Sequence, residues 1–248
     1  MSENFKLDYL SYSSIKEFAK SPNHYIEYVK AKKQPKAPSE SQGFGTAFHC
    51  YLLEPDKFVQ RFATRDFDKR KPSHKEEYEG LLNAGISVVS LKDFEKIQIM
   101  AENVDKHPAS KFLMSQLTAT EVLVEDEIFG YKFRAVLDVL ADKYVADLKT
   151  CNDSSVTAFA KDANNFDYHL QGAVYSSLTN KRFCWIAVEK NPPYNVSVFV
   201  QSEEAFKISE SYLSILVDKF IHWDGQPQGY SDSEFFELDL PPWHRYRI

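Results

Sequence analysis

Apolar positions follow two different periods along this chain, and the change of period divides it. In "YSSIKEFAKSPNHYIEYVK", Ile15, Phe18, Tyr25 and Val29 recur at helical spacing. Ser14 and Glu17 have capping-box spacing, and Ser21-Pro22 separates a first helix from a second. "AKKQPKAPSESQ" is polar and proline-containing, which predicts a loop. In "GFGTAFHCYLLEP" glycines precede a short apolar helix that Pro55 ends. Residues 56–75 are charge-rich and lack a period, so they predict an exposed loop. "EEYEGLLNAG" predicts a helix with Gly85 past its end, "ISVVS" a short strand, and "LKDFEKIQIMAENVDKHP" a strongly amphipathic helix.

From Glu121 the pattern alternates. "TEVLVEDEIFGYKFRAVLDVLADKYVADLKT" turns twice, near "FGY" and "ADK", and predicts a three-stranded antiparallel meander. Two helices are expected in residues 153–180, then two strands, "KRFCWIAVEK" and "NVSVFVQ", around "NPPY". A long helix covers "SEEAFKISESYLSILVDKFIHW", and an irregular aromatic tail follows. Helices, strands, helices, strands and a helix fit an α/β (α+β) domain, with a mixed central sheet flanked by helices. No linker interrupts this order, so residues 1–248 are expected to form one domain, with the core in roughly 110–225.

Composition narrows the function classes. The chain is 43% hydrophobic and 27% charged, with a formal net charge of -6, so any contact with nucleic acid needs a local basic patch. Cys50, Cys151 and Cys184 are far apart and lack CxxC spacing, which fits a reducing compartment and argues against a structural zinc or iron–sulfur site. The N-terminus has no apolar signal core, and no apolar run reaches membrane-spanning length. A cytoplasmic protein is expected.

The chemistry gathers at "VADLKT". Residues two apart on a strand share a face, so Asp147 and Lys149 point one way and Leu148 the other. Asp138 lies on the preceding strand, and the turn at "ADK" can bring it beside Asp147. Two carboxylates suit a hard divalent cation such as Mg²⁺ or Mn²⁺, and the adjacent lysine can orient a water or balance charge on a phosphoryl group. An Asp-x-Lys tripeptide alone more often marks a solvated edge or an ordinary ion pair.

"FRAVLDVLADKYVADLKT" resembles the D…(D/E)xK core of the PDDEXK nuclease superfamily. "SYSSIKEFAKSPNHY" resembles the N-terminal helix motif of its RecB-like branch, "GFGTAFHCYLLEPDKF" the Gly-x-x-x-His motif, and "YHLQGAVY" the Gln-x-x-x-Tyr motif. Together with "LPPW", these phrases look most like the RecE-type exonucleases of phages and prophages, over residues 11–243. The resemblance implies metal ligation by Asp138, Asp147, the Leu148 backbone carbonyl and His49, with Lys149 as the catalytic lysine. The N-terminal helices, residues 11–55, would deliver His49. Alone, His49 reads as a core histidine on an apolar helix. Glu121 matches an acidic position of the family, with Glu125 and Glu127 as alternatives on the same face. Gln171 and Tyr175, four apart, would share a helix face near the DNA end.

The implied activity is 5′-to-3′ exonuclease action on one strand of linear duplex DNA, leaving 3′ overhangs for recombination. A PDDEXK endonuclease and a non-catalytic DNA-end-binding module are the alternatives. Two Mg²⁺ ions are expected, with Mn²⁺ able to substitute because imidazole suits it better. The resemblance also implies a homo-oligomeric ring, tetrameric or trimeric, and a RecT-like single-strand annealing partner. Lys32, Lys33, Lys69, Arg70 and Lys71 are candidate contacts to the DNA backbone, and Arg65, Arg245 and Arg247 could add to them; such charge runs are as often solvated loops. No phosphate-loop motif and no four-cysteine cluster is present in the sequence.

Overall fold

A computed structural model of the chain describes residues 5–33, 40–68 and 70–228, with backbone only at residues 40–42. "LPPW", Lys69, Arg245 and Arg247 lie outside the described residues.

The first helices are α1 (Tyr12–Lys20) and α2 (Pro22–Lys33). The break between them sits where expected, but the capping box is one turn earlier. Ser11 caps α1 and exchanges hydrogen bonds with Ser14, so Ser14 is the third helical residue rather than the cap. α3 (Glu40–Leu53) includes Gly43 and Gly45, so the glycines lie within the helix rather than before it. Pro55 opens α4 (Pro55–Arg61) at its first position, where a missing N–H costs nothing.

Residues 56–75 do not form the expected loop but hold regular elements. α4 occupies its start, β1 (Phe62–Thr64) follows, and α5 (Pro72–Asn83) begins within it. β1 pairs in parallel with β2 (Ser87–Val89), closing a small two-stranded sheet across α5. Charges hid these elements because, among the described residues there, only Phe58 and Phe62 are buried, too few to set a readable period. Next come α6 (Leu91–Lys106), capped by Ser90, and α7 (Pro108–Ser115).

The meander forms as read: β3 (Leu117–Ile128), β4 (Tyr131–Ala141) and β5 (Tyr144–Cys151). A crossover through α8 (Val156–Asn165) and α9 (Tyr168–Thr179) makes β6 (Arg182–Glu189) parallel to β5. β7 (Val196–Val200) returns antiparallel, and α10 (Glu203–His222) ends the described part. The result is a five-stranded mixed sheet in the order β3-β4-β5-β6-β7, flanked by helices. The fold class is therefore as expected.

Each face of this sheet has its own core. On one, Ile15, Tyr25, Val174, Leu213 and Phe220 join α1, α2, α9 and α10 to Leu137, Val145 and Phe183. On the other, Phe48, Ile97, Met100 and Leu113 join α3, α6 and α7 to Val139, Ala146, Leu148 and Ile186.

One irregularity of the sheet positions everything that follows. β4 and β5 pair only at Val139↔Ala146 and Leu140↔Val145. Beyond those pairs the strands part, and the next residue on each is an acid, Asp138 on β4 and Asp147 on β5. Leu137 and Val139 also belong to opposite cores, so β4 reverses its alternation at Asp138.

Candidate metal and catalytic site

In the gap between the parted strands, the Asp138 carboxylate replaces the missing ladder. Its Oδ2 accepts a hydrogen bond from the Leu148 N–H at 2.7 Å. His49, reaching in from α3, donates from Nε2 to the Leu148 carbonyl at 2.6 Å. A carbonyl oxygen only accepts, so Nε2 carries the proton and the Nδ1 lone pair is left facing Asp138 Oδ2, 3.5 Å away. Burial holds this imidazole below its ordinary pKa, so it is neutral at pH 7 and chemically a ligand.

Glu121 completes the cluster. Thr120 pairs with Val139 and Val122 with Leu137, so Glu121 comes level with Asp138 on the neighbouring strand. Its φ is 52°, a left-handed conformation that a non-glycine residue holds only at a cost of about 1–3 kcal/mol. Donor atoms of His49, Glu121 and Asp138 lie within 4.8 Å of one another, close enough to share one cation. Burial first, then the Asp147 charge, push the Asp138 carboxyl well above its usual range. Burial and the nearby Glu54 charge raise Glu121 as well. Carboxyls crowded in this way favour a divalent cation that neutralises them. The donor set of imidazole plus carboxylates, with the Leu148 carbonyl beside it, fits Mg²⁺ or Mn²⁺.

Asp147 is 4% exposed and is held from the α9 side of the sheet. Its Oδ1 accepts from Gln171 Nε2 at 2.5 Å, and its Oδ2 lies 2.5 Å from the Lys149 ammonium. Burial alone would lower the Lys149 pKa, but the charges of Asp147 and Asp138 outweigh it, and the group stays protonated. Below the ammonium, 4.9 Å away, lies the ring of Tyr168. Tyr168, Gln171 and Tyr175 are spaced i, i+3, i+7 on α9 and line one face. The first meets Lys149, the second Asp147, and the Tyr175 hydroxyl donates to the Val136 carbonyl at 3.3 Å.

His49, Glu121, Asp138, Asp147, Leu148, Lys149, Gln171 and Tyr175 thus lie in one connected region. Glu125 and Glu127 pair further along the hairpin with Arg134 and Lys132. Tyr168 was missed by sequence reasoning, although its spacing to Gln171 carried the signal. The backbone turn at Glu121 left no signal in the sequence. The candidate DNA contacts are less concentrated. Lys32 lies over the Tyr28 ring at 4.8 Å, and Lys33 and Lys71 are exposed. Arg70 pairs with Asp68 at 2.9 Å, and Arg65 pairs with Glu77.

Among solved structures, the chain is similar to the crystal structure of a candidate exonuclease from Eubacterium rectale. The TM-score is 0.60 at 14% identity, covering 86% of this chain and 80% of that one, a likeness of fold alone. LHK-Exo, solved in complex with dAMP, matches with a TM-score of 0.31 and 16% identity over 61% of this chain and 82% of its own. No curated protein matches the sequence. The family model described as a PDDEXK-like domain of unknown function, DUF3799, matches residues 11–222, and the chain belongs to that family.

Proposed function

We propose that the protein is a divalent-metal-dependent nuclease of the RecE type: a 5′-to-3′ exodeoxyribonuclease that degrades one strand of linear duplex DNA. The observation that carries this reading is the parting of β4 from β5, which gathers His49, Glu121 and Asp138 beside the buried Asp147–Lys149 pair. His49, Glu121, Asp138, Asp147 and the Leu148 carbonyl would hold the cation. When bound, a divalent cation neutralises phosphate charge and lowers the pKa of a water.

The protein's own groups have distinct tasks. Lys149, protonated and 21% exposed at its side chain, faces outward enough to meet a phosphate oxygen or orient the attacking water. Asp147 fixes the ammonium, Gln171 fixes Asp147, and the Tyr168 ring supports the ammonium from below. The polarity, the 3′ overhang, a homo-oligomeric ring and a RecT-like annealing partner extend the proposal on the strength of the sequence motifs. A ring would supply processivity by enclosing the duplex.

The test uses linear duplex labelled at the 5′ end or internally, beside a closed circle, with Mg²⁺, Mn²⁺ or EDTA. Metal-dependent release of nucleotides from 5′ ends, absent on the circle and lost in Asp147→Ala, is expected. Cutting of the circle would replace the reading with an endonuclease. End binding without cleavage would replace it with a binding module.

A further inference from the structure

Stacked on Tyr168, the ring that carries the Lys149 ammonium, is an aromatic group that the proposed chemistry does not use. Phe166 is the residue that ends α8, and it is 51% exposed. A large aromatic side chain in water gains nothing for folding from its open half. Its surroundings nevertheless hold it firmly. One flank stacks on Tyr168, with centroids 5.6 Å apart and planes at 28°. Its N–H bonds the Asp162 carbonyl at 2.9 Å, and its own carbonyl accepts the Tyr12 hydroxyl at 2.6 Å across the α1 boundary. The next residue, Asp167, is left-handed at φ 56° and makes no side-chain cap to α9. The chain therefore turns sharply at this point and leaves the Phe166 ring facing outward.

Charge identifies the occupant. Tyr168, on which Phe166 rests, carries Lys149 at 4.9 Å on its ring. Lys16 lies 5.2 Å over the Tyr12 ring, close enough to Lys149 and Asp167 for their charges to act on it. A half-exposed ring stacked on the tyrosine that carries Lys149 matches the base of a nucleotide whose phosphate lies at that lysine. An apolar protein segment would match the ring and make no use of the phosphate contact proposed for Lys149. We infer that Phe166 is a stacking platform for a nucleobase of the strand whose phosphate lies at Lys149. This rests on the proposed nuclease reading and adds to it a contact that grips any base without reading its edges.

Three proteins and two substrates test it: wild type, Phe166→Leu and Phe166→Trp, on linear duplex and on duplex with abasic sites at the 5′-terminal nucleotides. Phe166→Leu is expected to raise KM roughly five- to hundredfold with kcat retained, the loss of one stack. Phe166→Trp should restore it. The abasic substrate should cost wild type a similar factor and cost Phe166→Leu little more. An unchanged KM in Phe166→Leu, or an equal abasic penalty in both proteins, overturns the inference and leaves the nuclease reading intact. If wild type cuts nothing, anisotropy of labelled DNA in EDTA decides. Weaker binding by Phe166→Leu then keeps the platform while the nuclease reading falls. Equal binding, or no binding by wild type, removes the platform too.

Discussion

Gln171 Nε2 donates to Asp147 Oδ1 at 2.5 Å, and both side chains are at least 95% buried, at 3% and 4% exposure. The amide is therefore the fixture that aims one carboxylate oxygen and leaves the other for Lys149. Gln171→Leu keeps the volume and removes the donor. The expected result is a 10–100-fold loss of kcat, roughly the effect of removing an outer partner of a metal ligand, with circular dichroism unchanged. Titration of rate against Mg²⁺ and Mn²⁺ checks it, and a loss under twofold would mean that Lys149 alone fixes Asp147.

Asp138 couples the site to stability. Its carboxyl is raised in the folded protein above the ordinary 3.8, by burial first and by the Asp147 charge second. Between the unfolded and folded values the native state binds more protons, so stability falls as pH rises. The group's favourable contribution is complete below the unfolded value and is lost as pH passes the folded one. Asp138→Asn cannot ionise and still accepts the Leu148 N–H. In EDTA at pH 7.5 the variant is expected to be more stable than wild type by about 1–2 kcal/mol, while losing nuclease activity. Melting curves with and without EDTA across pH test this, and a less stable variant would contradict it.

His49 sets which cation works best. A neutral imidazole donor favours Mn²⁺, whereas Mg²⁺ prefers oxygen. His49→Asp supplies oxygen at the same position. The ratio of the rate in Mg²⁺ to the rate in Mn²⁺ is expected to rise by roughly tenfold, about 1.4 kcal/mol. His49→Ala should instead depress both rates. An unaltered ratio in His49→Asp would show that the imidazole does not meet the cation.

These predictions draw on features that differ in how far the sequence revealed them. Asp147 and Lys149 were legible because a strand's period of two places them on one face, and the meander was legible because its turns at Phe129-Gly130 and Asp142-Lys143 are marked locally. The parting of β4 from β5 was not, because it depends on how two cores pull on one strand. Nor was the strained backbone at Glu121, since no glycine marks it. α4 and β1 were lost among charges, because salt bridges such as Arg61–Glu54 and Arg65–Glu77 decorate elements that bury only a few side chains. Contacts local in sequence could be read from the residues themselves, whereas the long-range placement of His49 and Gln171 was legible only through the family motifs.

Gly172 shows how little room the site's support has. A Cβ added there would lie 2.0 Å from Gln201 Oε1, 2.8 Å from Gln201 Cδ and 2.9 Å from Phe183 Cδ1. Gln201 is 5% exposed and its Nε2 is tied to the His169 carbonyl at 3.1 Å, so it cannot swing aside freely. Phe183 is 1% exposed. Gly172→Ala is therefore expected to cost about 1–3 kcal/mol, against the usual gain from alanine in a helix. The clash also pushes α9 off β6 at the residue next to Gln171, so the Gln171–Asp147 bond lengthens and activity falls more than the stability loss alone would cause. Gln201→Ala removes the nearest obstruction, at the cost of its own hydrogen bond. In the double variant, stability and activity should both exceed the sum of the single effects, with Phe183 limiting the recovery. Urea melts and initial rates on the four proteins of the cycle measure this. Additive effects would show that α9 accommodates the methyl group by another route.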